Sequence, residues 1–503
     1  MSRNTGPIWL EPTGKHKGGV NHLGLRRPGL YMADALLPGF TNTTNQARYY
    51  SVIAFMYAHA QDTEHLRLIE SAYVHAIRRH EHVDGVRPSH VGAVSVPHGD
   101  DKKLPLTRSK RIVSALDAPF YGPSAWTLGV AGRSISGKHE SSKLARDIAK
   151  TISVDPSCLP KPGRKTVKAS SVDDLCPLCL CIPPKGRERS LLEELFFRID
   201  RPRAEEIERK KDGPRRRSMA LLLHALVRTD RASPYILQRF LDSHLGRIDY
   251  KPPDMLTEEA FGFAGMALRW FFRHALETIW AGFGRLISRY GPLGTDMVPY
   301  VDQTLSEAKG MGPWNPETKR TVGSIATDLE NSPERELNGM DEINELIDET
   351  PEQAILAAAV QLAGIADVIQ HFTDINRFYH RFASWGDPYW VSMTGFRGQA
   401  DPDLSLRDWL AHLFSRYAIA QHFITGAIKW QNGIDGYFFH PEEQGYILDP
   451  PGRKWWPDPG RTKIRSALNI MKGLGLVNEK DGIFSTTERG FQVVEKVCSI
   501  SSS

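Results

Sequence analysis

Along most of the chain apolar residues return every three or four positions, and polar residues fill the gaps, so the pattern predicts helices far more often than strands. Tyr31 to Leu37 predicts a short helix stopped by Pro38-Gly39. Thr41-Asn-Thr-Thr44 offers N-caps for a second, running through Tyr49, Tyr50, Ile53, Phe55, Met56 and Tyr57. A third starts near Thr63 and passes Leu66, Ile69, Tyr73 and Ile77, with Asp84-Gly85 as its stop. Residues 86 to 100 lose the period among Pro88, Gly92, Pro97 and Gly99, which predicts a loop with at most a short strand. Helical spacing resumes from Arg108 to Leu116, Ser141 to Ile152, Leu191 to Ile199, Ser218 to Val227 and Pro234 to Leu245. The longest run, Thr257 to Tyr290, carries Phe261, Phe263, Met266, Trp270, Leu276, Ile279, Phe283 and Ile287 and predicts the core of a middle domain. Pro351 suits the first turn of a helix through Ile355, Leu362 and Ile369. A last one passes Leu404, Trp409, Leu413, Tyr417, Phe423 and Ile428.

The final segment is the most specific. From Arg461 to Gly473, Ile464, Ala467, Leu468 and Met471, continued by Leu474, form one apolar face, while Arg461, Lys463, Arg465, Ser466, Asn469 and Lys472 fall mostly outside it. Asp481-Gly482 between Leu476-Val477 and Ile483-Phe484 predicts a two-residue hairpin turn, and Thr486/Thr487 supply an N-cap before Phe491, Val494 and Val497. This order of helix, turn, two-stranded wing and helix resembles the MarR-like winged-helix module. In that family the recognition helix is followed by a Gly-Leu-Val strand, a charged wing tip and a Leu-Thr-x-x-Gly return. Here Thr487-Glu-Arg-Gly490 matches the return, with Thr486 where the family usually has leucine. The resemblance implies a contact module at about 459–500. If it reads DNA, Arg461, Lys463, Arg465, Asn469 and Lys472 face the groove, and Arg453, Lys454 and Lys480 touch the backbone. Winged helices also serve as protein-protein modules, and the same basic face suits either use. Trp455-Trp456 predicts core packing, with stacking on bases as the alternative.

Composition sets the frame. With 503 residues the chain exceeds one ordinary core, and a share of 41% apolar residues is that of a globular protein. The absence of an uninterrupted apolar run of about 18 residues argues against a membrane protein. The first residues lack a secretory pattern, and five cysteines in such a length do not make a disulfide framework, so a reducing cytoplasm is expected. Breaks in periodicity divide the chain into a mainly helical region 1–154, a Cys/Pro-containing linker or knuckle 155–186, a middle helical domain 187–305, an acidic linker 306–350 and a C-terminal helical region 351–503. The fold class expected is mainly α, multi-domain, with a C-terminal winged helix.

Net charge is only +5, so its distribution matters more than its sum. Basic residues outnumber acids from Lys161 to Arg217, ending in Arg215-Arg-Arg217, and again around Arg453 to Lys472. Between them Asp328 to Glu352 form an acidic block that reads as a solvated linker. Cys176-Pro-Leu-Cys179-Leu-Cys181 has metal-ligand spacing, and with Cys158 or an unidentified histidine could complete a structural zinc site. Early histidines at 59, 65, 75, 80, 82, 90 and 98 lack the i, i+4 spacing of a helical zinc motif and read as surface or helix-end residues. Arg48, Arg78 and Arg79 add positive charge nearby that could face an anion. Carboxylates such as Glu193/Glu194 and Glu205/Glu206 read as solvated helical faces. There is no Walker A loop, GxGxxG after a strand, GxSxG elbow or HExxH, and Gly129-Val-Ala-Gly132 reads as a turn.

The expectation is therefore a non-catalytic nucleic-acid-binding or adaptor subunit of a cytoplasmic complex, contacting DNA, RNA or partner subunits through the winged helix. Leu23-Gly-Leu-Arg26, Leu37-Pro-Gly39 and Ala47-Arg-Tyr-Tyr50 resemble segments of uncharacterised bacterial anti-phage defence proteins, which implies a component acting beside a separate ATPase or nuclease. The alternatives are a metal-dependent nuclease or other hydrolase with a site of scattered residues, and a pure scaffold.

Overall fold

The computed structural model describes residues 23, 25–41, 45–82, 102–106, 121–133, 139–140, 142–198, 213–228, 233–309, 320–330, 345–371, 396, 400–431, 436–449, 456–457 and 463–500. These are mainly helical, with short antiparallel strand pairs, in agreement with the helical periodicity. The chain makes two compact units from segments far apart in sequence. One comprises Met1–Met32, Phe240–Arg247 and Gly262–Gly460; the other comprises Ala33–Arg239, Ile248–Phe261 and Arg461–Ser503.

The first unit is organised by the helix Thr257–Tyr290, most of which it contains. Phe263, Leu276, Ile279, Trp280, Phe283 and Leu286 are fully buried there. The helix Pro351–His371 packs so closely that a Cβ on Gly282 would stand 2.4 Å from Ile355. Its segment Pro351–Ile369 is long and apolar enough to cross a bilayer, but 89% of it is buried inside the protein, and Trp409 donates its indole N–H to the Ala359 carbonyl at 3.1 Å. Its apolar surface thus serves helix packing.

Two acids of the expected solvated block are engaged here instead. Glu352 is wholly buried and accepts hydrogen bonds from Tyr290 at 2.8 Å and Arg289 at 3.2 Å, while Asp348 pairs with Arg285 at 2.5 Å. A carboxylate removed from water requires such donors. The last predicted helix of this unit is realised as Leu406–Leu413, a π-helical stretch Phe414–Gln421, and His422–Gln431. The buried Trp409, Leu413 and Tyr417 keep a four-residue apolar spacing that leaves the hydrogen-bond pattern open.

The second unit begins with the helices Ala47–His59 and Thr63–Arg79. Asp62 caps the latter by accepting from the His65 N–H at 2.7 Å. That helix ends at Arg79, and His80 is already extended (φ -71, ψ 134), earlier than the sequence pattern suggested; Asp84-Gly85 lie outside the described residues. The helices Gly186–Phe197 and Gly213–Arg228 complete the framework against which the terminal segment packs. Ser142 caps Lys143–Ala149, and the predicted run Arg108 to Leu116 lies outside the described residues.

Charge in this unit is turned inward more than the sequence pattern suggested. Arg215 is fully buried, with Nε donating to the Phe196 carbonyl at 3.2 Å, and Arg217 pairs with Glu259 at 2.8 Å. Arg48 is buried and faces an anion of the protein itself: it donates to the carbonyls of Ile182 at 2.7 Å and Pro177 at 2.8 Å and stands 3.8 Å from the Glu188 carboxylate, while Arg79 pairs with Asp173 at 2.9 Å. His65 and His75 are buried rather than superficial, bonded to the carbonyls of Pro160 at 2.7 Å and Pro105 at 2.8 Å. The Arg215-Arg-Arg217 run therefore holds backbone and carboxylate together instead of tracing a phosphate chain.

Candidate functional site

The terminal segment folds as a helix Ile464–Gly473, an antiparallel hairpin Val477–Lys480 with Ile483–Thr486, and a helix Glu488–Ile500. Local chemistry explains each joint. The first helix closes in a Schellman arrangement: Leu476 N–H bonds the Met471 carbonyl, Gly475 N–H bonds that of Lys472, and Gly475 takes φ +73. Asp481 (φ 52) and Gly482 (φ 78) form the left-handed pair that a two-residue turn demands. Thr487 caps the last helix, its Oγ1 accepting from Gly490 N–H at 3.2 Å. Thr486 donates its hydroxyl to the Leu223 carbonyl at 2.7 Å, tying the hairpin to the helix Gly213–Arg228. At the other side a Cβ on Gly473 would meet Ala47 at 3.2 Å. The segment is thus built into the second unit on two sides.

The basic groups predicted to read a ligand have protein partners. Lys463 is buried and bonds Asp34. Arg465 and Lys472, about half exposed, converge on the two oxygens of Glu479 at 2.5 Å and 2.8 Å. The Lys472 hydrogen bond, with the Arg465 charge, holds the Glu479 carboxyl below its ordinary range. Arg465 also lies over the Phe484 ring, 4.7 Å from its centre. Asn469 is half-buried and Lys480 exposed, whereas Arg453, Lys454, Trp455 and Arg461 lie outside the described residues. Trp456 is 51% exposed and faces the Arg285 guanidinium at 5.1 Å, so core packing does not describe it.

On the outer side of the last helix, Glu193, Glu488, Arg489, Gln492, Val493 and Lys496 line a shallow groove of about 360 Å³. Arg489 pairs there with Glu193 at 2.8 Å, so this glutamate is paired rather than free in solvent, and Glu194 is buried. Both signs of charge share the surface. Ile483 and Phe491 add 41% and 43% exposed apolar side chains on the hairpin and the last helix.

A second cluster gathers thiols and imidazoles in the same unit. Donor atoms of His80, His82, Cys179 and Cys181 lie within 4.8 Å of one another. Cys179 Sγ is 3.5 Å from His82 Nδ1, and the two rings stand edge to face with centres 5.4 Å apart. Burial pushes the Cys179 thiol up to about 12. The predicted CxxC pairing is not the one formed. Cys176 Sγ turns to the Ala76 carbonyl at 3.7 Å, and Cys158 stands apart, its thiol raised to about 11 by burial and then by Asp174 and Asp155. His80 and His82 read from the sequence as surface or helix-end residues, with metal binding left to the alternative hydrolase. Their signal was the i, i+2 spacing just past a helix end, which puts both side chains on one side of an extended chain. His90 and His98 lie outside the described residues.

No family model matches the chain, and neither a curated protein nor a solved structure matches it.

Proposed function

We infer that this chain is a non-catalytic adaptor whose C-terminal winged-helix-like module contacts a partner protein rather than reading DNA. The observation that carries the reading is the convergence of Arg465 and Lys472 on Glu479, with Lys463 already joined to Asp34. Nucleic-acid affinity depends on cations free to displace counterions from several phosphates. Cations compensated by a carboxylate on the facing wing contribute little of that. The mixed-charge groove beside Glu488 and the exposed Ile483 and Phe491 suit a protein surface, where apolar anchors sit inside a polar rim.

The test combines co-purification of the full chain with a salt series on duplex and single-stranded DNA. A protein retained by the wild type and lost with Ile483→Glu/Phe491→Glu supports the adaptor reading. Salt-sensitive DNA binding that disappears with Arg465→Ala/Lys472→Ala overturns it.

One observation favours a second reading. In the strand pair Lys103–Pro105 with Thr166–Lys168, Lys103 lies directly opposite Lys168, and Lys161, Arg164 and Lys165 are exposed just before it. Such a cluster of exposed cations at Lys161, Arg164, Lys165 and Lys168 is the electrostatic footprint that a phosphate backbone attracts. DNA binding lost with Lys165→Glu/Lys168→Glu but kept with Arg465→Ala/Lys472→Ala would assign nucleic-acid contact to this strand pair.

A further inference from the structure

We propose that His80, His82, Cys179 and Cys181 bind one zinc ion in a closed, structural Cys2His2 site that fastens the end of the helix Thr63–Arg79 to the loop after Leu178. The two ligand pairs are about a hundred positions apart, and each is presented by backbone suited to it. Beyond Arg79 the chain is extended, which aims His80 and His82 to the same side; Cys179 opens a turn closed by the Ile182 N–H on its carbonyl at 3.2 Å, which keeps Cys181 beside it.

The donor spacing fits the metal. Zinc bonds of about 2.3 Å to sulfur and about 2.0 to 2.1 Å to nitrogen place tetrahedral donors roughly 3.3 to 3.8 Å apart. The four donors here lie within 4.8 Å of one another, and the Cys179 to His82 separation of 3.5 Å is already at that value. A contraction of about an ångström by side-chain rotation completes the shell. Two thiolates and two neutral imidazoles also balance a 2+ charge, a donor set that selects zinc over the oxygen-seeking magnesium and calcium.

A second observation points to a ligand independently. His80 Nε2 is buried and has no hydrogen-bond partner among the described residues. A ring nitrogen removed from water without a partner carries a desolvation cost, which coordination would offset if this atom is the donor; if Nδ1 binds instead, Nε2–H still requires an acceptor. The surroundings are stiff enough to hold such a site. Arg48 clamps the loop on both sides of the cysteines through the Pro177, Ile182 and Pro183 carbonyls, and Cys176 rests on Ala76 of the histidine-bearing helix. Four protein donors leave no open position, so the metal would stabilise the unit and not activate water. This assignment is independent of what the C-terminal module contacts.

The experiment uses the full chain, purified without a metal-binding tag, and reads its metal content by elemental analysis. About one zinc per chain is expected, reduced at least tenfold in Cys181→Ser and in His80→Ala and unchanged in Cys158→Ser. Should the ligand variants fail to fold, replacing zinc with cobalt in the wild type decides the matter. Intense tetrahedral d-d bands with a thiolate charge-transfer band support the site; a weak octahedral spectrum, or no uptake, overturns it. Zinc retained in both ligand variants also overturns it, as does a folded wild type that takes up none from buffered zinc.

Discussion

Gly490 and Gly482 close the terminal module for different physical reasons. At Gly490 a Cβ would stand 2.3 Å from the Leu476 carbonyl oxygen and 2.7 Å from Thr486, so the helix and hairpin can approach only over a residue without a side chain. At Gly482 nothing lies within 4 Å, and only its φ of +78 disfavours other residues. Gly490→Ala should therefore destabilise the second unit by about 1 to 3 kcal/mol, as overpacking does. Gly482→Ala should cost about 1 to 2 kcal/mol, the strain of one left-handed residue. Urea midpoints of the two variants check the order. Glu352 offers a further residue-level test in the first unit. Glu352→Ala removes a buried acceptor from Tyr290 and Arg289 and should cost about 1.5 to 3 kcal/mol, less for the share that solvent screens at the half-exposed Arg289. Glu352→Gln keeps an acceptor and should lose less, again read from urea midpoints.

At the scale of elements, the helix Ile464–Gly473 and its hairpin are joined by Glu479, and this sets a pH dependence of known sign. The folded carboxyl is held below its ordinary range, so the tie contributes fully above the unfolded carboxylate value and is lost as pH falls through the folded one. Each exposed pair is worth about 0.2 to 1 kcal/mol after screening. Acidification should thus loosen the hairpin before it unfolds the unit, visible as faster amide exchange at Glu479 and Lys480. Glu479→Gln should reproduce that effect at neutral pH. It should also release Arg465 and Lys472 and raise salt-dependent affinity for duplex DNA several-fold, measured by fluorescence anisotropy; an unchanged affinity would mean the two cations were never restrained by this carboxylate.

At the scale of the whole molecule, the terminal module, from Arg461, belongs to a unit whose other parts end at Phe261, far earlier in the chain. Thr486 bonds Leu223, and Gly473 touches Ala47, so the module's apolar faces are covered by the helices Gly213–Arg228 and Ala47–His59. Residues 459–503 as an isolated peptide should lack stable helix by circular dichroism, since short helices in water depend on packing. Ending the chain at Gly460 should strip amide protection from both covering helices in hydrogen exchange, while leaving the Pro351–His371 helix protected.

Sequence by itself determined what local forces govern. The bounds Thr257–Tyr290 follow from uninterrupted apolar spacing and acids in the first turn, and the terminal hairpin follows from Asp481-Gly482 and the Thr487 cap. These depend on residues within a few positions of each other, so the pattern carries them. Tertiary structure alone decided where the charges and metal-ligating groups went. That Arg215 lies buried on Phe196, that Lys463 meets Asp34, and that Cys179 meets His82 instead of pairing with Cys176 in a knuckle all depend on contacts between distant segments. Spacing along a chain fixes which side of a helix or strand a residue occupies. It cannot fix what that side faces, because burial and pairing are set by whichever remote element completes the core.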